Sequence, residues 1–165
     1  MSRKSENGQK QSLTILDKDY LEWVKQLSSR YKSYLIKASV HINSEQLKFY
    51  YSVGKDIFEK QIDNKYGTKF YATLSRDLRK LLPDAEGLTE GNLRYAKRFY
   101  QLYSDPKKLF PQVAEELYPQ IFPQVAEELP KVPWGHHRLL IDKFSDNPPK
   151  ALFFVGQIAE SWNRG

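Results

Sequence analysis

The chain has 165 residues and carries 26 Lys and Arg against 20 Asp and Glu, a formal net charge of +6. With no cysteine it can form neither a disulfide framework nor a thiolate metal site, and no stretch approaches the ~18 apolar residues of a membrane span. Its length and its 14% aromatic share fit one packed domain, which we expect in the cytoplasm with no membrane association.

Residues 1–14 are polar and read as a disordered leader, without the apolar run of a signal peptide. Residues 15–165 read as a single helical domain. Asp17 is placed to cap a long helix. Its apolar positions, Tyr20, Leu21, Val24, Leu27, Tyr31, Tyr34, Leu35 and Ala38, recur at steps of three and four. Asn43-Ser44 interrupts the pattern. A second stripe follows from Ser44 to about Ile62, through Leu47, Tyr50, Tyr51, Val53, Gly54, Ile57 and Phe58. Two stripes joined by a short break predict an antiparallel helical hairpin over 15–64. The run from Asn64 to Gly67 reads as a turn.

Over 65–108 the spacing predicts two more helices. Thr68 is the expected cap of the first, which runs to about Leu82 with Phe70, Leu74, Leu78 and Leu81 on its inner face. Pro83 to Gly87 breaks it. Thr89 is the expected cap of the second, with Leu88 placed to staple onto Leu93. Leu93, Ala96, Tyr100 and Tyr103 form its inner face, and Asp105-Pro106 ends it.

Residues 109–130 contain a tandem duplication: Phe-Pro-Gln-Val-Ala-Glu-Glu-Leu occurs at 110–117 and again at 122–129. An offset of twelve residues is too short for a solenoid repeat, and Pro119 and Pro123 argue against a continuous helix. One copy is therefore expected to be superfluous to the fold. Over 131–165, Pro133-Trp134 opens a helix to about Lys143, with Leu139 and Leu140 following Trp134 as its apolar partners. Pro148-Pro149 opens another to about Trp162. Only Ala151–Val155 admits a strand, so the fold class is mainly α.

Positive charge is concentrated in the middle, with ten Lys and Arg against five Asp and Glu over 65–108. Two short amphipathic helices joined by a turn and carrying that surplus fit a helix-turn-helix, and a basic patch fits a polyanion. On the second helix Asn92, Arg94, Tyr95, Lys97 and Arg98 are left outside. Arg and Asn near its start are side chains able to read guanine and adenine edges. Arg76, Arg79 and Lys80 on the first helix are placed for phosphates. The same pattern also describes a helical pair with a solvated charged face. A second reading is a protein-interaction or homodimerisation module, should Tyr20, Val24, Tyr31, Ile57 and Phe58 leave an apolar patch on the first helices uncovered.

Catalytic patterns are poor. Pro83-Asp84 with Asp105-Pro106-Lys107 formally matches the PD-(D/E)xK nuclease pattern. That chemistry needs adjacent strands converging on a metal, and a helix fills this interval. Adjacent His136 and His137 point about 100° apart on a helix and rarely share an ion. One of them is better read as structural. Phosphate-binding glycine loops and nucleophile elbows are missing. We expect no enzyme activity and no cofactor.

Several blocks resemble the N-terminal domain of YhcG-type nucleases. They are 74–79 (Leu-Ser-Arg-Asp-Leu-Arg), 87–95 (Gly-Leu-Thr-Glu-Gly-Asn-Leu-Arg-Tyr), Phe99-Tyr100, 133–137 (Pro-Trp-Gly-His-His) with Leu139, Leu140 and Lys143, and more weakly 53–57 and Tyr66-Gly67. The resemblance implies a bacterial protein associated with restriction-modification or other defence genes. It also implies a winged-helix-like, DNA-binding helical module followed by a PD-(D/E)xK nuclease. The chain stops where such relatives continue into the nuclease, so no catalytic residue carries over. We therefore expect either an excised DNA-binding domain or a truncated, inactive remnant.

Overall fold

The computed structural model describes the backbone of residues 17–164 and the side chains of residues 17–34 and 44–161. The expected leader lies outside the described residues, as do the side chains of Leu35, Ala38, His41 and Trp162. Every regular element among the described residues is helical and none is a strand. The fold is mainly α. The wing of a winged helix is not formed there, and 151–155 is helix rather than strand.

Helix α1 spans Lys18–Lys60. Asp17 caps it, its carboxylate accepting from the backbone N–H groups of Asp19 at 2.8 Å and Tyr20 at 3.2 Å. A straight helix would hold Trp23 and Asp56 about 50 Å apart. Instead the Trp23 indole N–H donates to Asp56 at 3.0 Å, Arg30 pairs with Asp56 at 2.8 Å, and the Tyr31 and Phe49 rings meet edge to face at 5.2 Å. The chain therefore folds back between Tyr34 and Phe49, whose rings meet at 5.8 Å, and the flanking arms lie antiparallel. Tyr20, Val24, Leu27 and Tyr31 of one arm and Leu47, Tyr50, Val53 and Ile57 of the other are all buried. Tyr20, Val24, Tyr31 and Ile57 thus do not form the open patch that a dimerisation surface on this segment required. Only Phe58 of that set is exposed.

The turn expected at 64–67 is a short helix, α2 (Ile62–Tyr66), stopped by Gly67 at φ 86°, whose N–H donates to the Asp63 carbonyl at 3.0 Å. Helix α3 spans Phe70–Leu81. Thr68 is not its cap. Lys69 holds that position without a side-chain bond, because the Gly67 carbonyl already receives the Phe70 N–H at 3.1 Å. Helix α4 spans Glu90–Tyr103 and is capped by Thr89, whose hydroxyl accepts from the Asn92 N–H at 3.2 Å. Leu88 and Leu93 are both buried, as a hydrophobic staple requires. Tyr100 is only half-buried; its place on the inner face goes to Phe99 and Leu102.

Beyond Asp105 come α5 (Pro106–Leu109), a turn of 3₁₀ helix at Glu115–Leu117, α6 (Tyr118–Glu128) and a second 3₁₀ turn at Leu129–Lys131. Pro119 and Pro123 do not break α6. Pro119 sits in the first turn, where N–H groups lack partners anyway, and Pro123 removes one bond, to the carbonyl of Pro119. Helices α7 (Trp134–Phe144) and α8 (Pro148–Arg164) complete the chain. On α7, Leu140 is buried but Leu139 points into solvent at 51% exposure.

Two hydrophobic cores result, and α4 runs through both. Leu93 and Ala96 join the core of α1 and α3; Phe99, Leu102 and Tyr103 join that of α6, α7 and α8. Trp134 packs against both cores. It stacks on Tyr50 at 4.3 Å and meets Phe99 edge to face at 5.5 Å. Gly54 lets α1 cross α4 at backbone distance: a Cβ there would lie 2.0 Å from the Ala96 carbonyl oxygen.

Candidate nucleic-acid interface

The connection between α3 and α4 is longer than a short helix-turn-helix link, yet it is fixed. Three successive carbonyls receive hydroxyl donors from three places. Tyr31 donates to Glu86 at 3.1 Å, Tyr50 to Gly87 at 2.7 Å and Ser75 to Leu88 at 2.6 Å. Gly87 is required here. Its φ is 82°, and a Cβ would meet the Tyr50 hydroxyl at 2.4 Å.

Asn92 is engaged in this fixed turn. Its amide N–H donates to the Gly87 carbonyl at 3.2 Å, while its side-chain oxygen accepts from the Trp134 indole at 2.9 Å and from Arg138 at 3.4 Å. Both ends of the amide are occupied, so Asn92 braces α4 against α7.

The other α4 candidates lie at the surface, each beside an acid. Arg94 pairs with Glu90 at 2.9 Å and stacks over the Tyr71 ring at 4.7 Å. Lys97 bonds to Asp63, which also accepts from the Tyr71 hydroxyl. Burial pulls the Asp63 carboxyl upward, but the bonds from Lys97 and Tyr71 outweigh it and hold the group below its usual value. Tyr95 donates to Asp142 at 2.7 Å and Arg98 pairs with the same carboxylate at 3.0 Å. Those two bonds, Tyr95 first, hold Asp142 below its usual value. The guanidinium of Arg138 lies over the Tyr95 ring at 4.6 Å. The helix thus presents cations that are largely balanced by neighbours. Of these pairs only Glu90–Arg94, four residues apart on one helix, was readable from spacing. Asp63, Arg138 and Asp142 reach α4 through tertiary packing, and sequence reasoning missed their part in the site.

Helix α3 differs. Arg76, Arg79 and Lys80 are all exposed, with Lys69 at the N-cap also exposed. Around the helix these four positions fall within an arc of about 100°. The only acid on α3, Asp77, is fully buried and accepts from the Tyr20 hydroxyl at 2.9 Å. Burial, and then the neighbouring Asp77 charge, push the Tyr20 phenol far above its usual pKa.

The PD-(D/E)xK match falls on a turn and a helix cap. Asp84 lies in the exposed turn after α3, and Asp105 caps α5 by accepting from the Lys107 N–H at 3.0 Å. Neither is on a strand. No group of three or more His, Cys, Asp or Glu able to hold a metal occurs among the described residues. His137 is the structural histidine: fully buried, its Nε2 donates to the Leu129 carbonyl at 2.8 Å, while His136 is exposed.

Fold and surface define a helical domain assembled round one central, charged helix, and no helix among the described residues is long and apolar enough to cross a membrane. The chain belongs to the DUF1016 N-terminal domain family, whose model matches residues 26–165. No curated protein and no solved structure matches it.

Proposed function

We propose that the domain binds duplex DNA through the outward face of α3, gripping phosphates rather than reading bases. One observation carries the reading. Lys69, Arg76, Arg79 and Lys80 share a solvent face of α3, while the helix's only carboxylate, Asp77, is turned into the core. Such a face releases counterions from a phosphate backbone. Arg94, Lys97 and Arg98 on α4 add positive charge that is shared with Glu90, Asp63 and Asp142. The chain carries no nuclease centre of its own in this reading, and incubating it with plasmid and magnesium or manganese should leave the DNA intact.

Fluorescence anisotropy with a labelled duplex at several salt concentrations tests this. Affinity should fall steeply with salt. Replacing Arg76, Arg79 and Lys80 together by alanine should flatten the log–log slope by roughly 2–3. Binding that ignores salt, or a triple variant that binds like the parent, refutes the proposal. The protein-interaction reading keeps one specific support: Leu139 and Phe153, 51% and 59% exposed, stand on the neighbouring helices α7 and α8. A strict monomer in sedimentation at high concentration would remove homodimerisation through these residues.

A further inference from the structure

The duplicated octapeptide occurs twice, but only one copy is built into a core. In the second copy Val125 and Leu129 are 3% and 6% exposed, and the Leu129 carbonyl receives the His137 N–H at 2.8 Å. In the first copy Val113 is half-buried, and Leu117, the counterpart of Leu129, is 44% exposed. The copies are identical in all eight residues. Every side chain that fills the seat, and the carbonyl that His137 holds, is therefore present a second time.

Connectivity allows the exchange. Removing 110–121 and removing 118–129 leave the same sequence, in which Leu109 is followed by one octapeptide and then by Pro130. Either copy can thus be joined to the same two flanking points. Twelve residues loop out before the seat in one register and after it in the other. The loops are equal in length, so their closure entropy is the same to first order. The flanks lie close to the seat as well: α5 and α6 both pack on α8, and Phe110 and Phe122 both lie against the second core. What separates the registers is local. Tyr118–Ile121 form the first turn of α6 in the observed register, and that turn is lost in the other.

We propose that Phe110–Leu117 is an alternative occupant of the Phe122–Leu129 seat, so that the domain exchanges between two registers with the observed one as ground state. The exchange decides which dodecapeptide is displayed at the surface. A partner that grips one of the two displayed loops selects its register by differential affinity.

The natural lack of cysteine makes the test direct. In an otherwise native chain, the thiol of Leu117→Cys should react fast with a maleimide. Adding Val125→Asp disables the second copy, and the same thiol should then be protected about tenfold or more as the first copy takes the seat. Circular dichroism should show the helices retained. Equal labelling in the two backgrounds, whether the protein is folded or not, overturns the proposal. Two further variants guard against a general loss of fold. Val113→Asp with Val125→Asp disables both copies and should melt well below Val125→Asp alone; equal melting overturns the proposal. The chain lacking 110–121 should fold, because it joins both flanks to a single copy; a failure to fold overturns it too.

Discussion

Lowering the pH should weaken this fold through one side chain, His137. Its Nε2 donates to the Leu129 carbonyl, which leaves Nδ1 as the bare nitrogen, and among the described residues Nδ1 has no hydrogen-bond partner. A proton added there would place a charge in a fully buried site with no acceptor. Burial accordingly lowers the pKa from 6.5 to about 4. The unfolded chain takes up this proton near its ordinary value, while the folded chain resists until about pH 4. Below the ordinary value the unfolded state therefore holds more protons, and stability must fall as pH falls, levelling off below the folded value. At about 1.4 kcal/mol per pKa unit, the loss is about 2 kcal/mol by about pH 5 and about 3 kcal/mol by about pH 4. Acid acts on the whole protein, so the useful quantity is a difference. His137→Gln keeps a donor for Leu129 but has nothing to titrate. Urea unfolding followed by tryptophan fluorescence at several pH values should show the parent losing that much more than the variant. Parallel curves for the two proteins would refute the reasoning.

Gly54→Ala should cost about 3 kcal/mol or more in denaturant unfolding, because its Cβ would collide with the Ala96 carbonyl of α4; an alanine variant with the parent's midpoint would show that the helices separate freely. Trp134→Ala should cost about 3 kcal/mol, measured by thermal melting, since it removes contacts to Tyr50 and Phe99 in both cores. Asn92→Ala should destabilise by about 1–3 kcal/mol through the stranded Trp134 donor, yet leave the DNA affinity of the folded protein unchanged. A selective loss of affinity at unchanged stability would instead make Asn92 a base reader.

What the sequence disclosed followed from local chemistry. Helical spacing marked Tyr20, Val24, Leu27 and Tyr31 as one buried stripe, and Asp17 and Thr89 announced helix starts because capping depends on neighbours two or three residues away. That one octapeptide is surplus to the core also followed, since an offset of twelve residues is too short for a repeating structural unit. Thr68 misled because the preceding glycine supplied the bond a cap would have made. Leu139 misled because α7 buries a narrower face than its composition suggested. The largest gap concerned α4. Pattern alone left Asn92, Tyr95, Lys97 and Arg98 on an outer face. No local rule could foresee that α7 would come alongside and engage Asn92, Tyr95 and Arg98 through Trp134, Arg138 and Asp142. The exposed set on α3 was more legible, because a single amphipathic helix against one core obeys its own periodicity.

The central course of α4 limits how this domain can be altered. In a reader whose recognition helix lies on the outside, sequence preference can be changed by exchanging that helix's surface residues. Here the helix is a shared axle: Ala96 lies under Gly54, Asn92 locks the turn at Gly87, and Phe99 and Tyr103 belong to the far core. Transplanting α4 from one such domain into another would carry half of two interiors with it. Diversification without loss of fold is open instead to the outer face of α3, whose exposed residues can change one by one while the axle stays as it is.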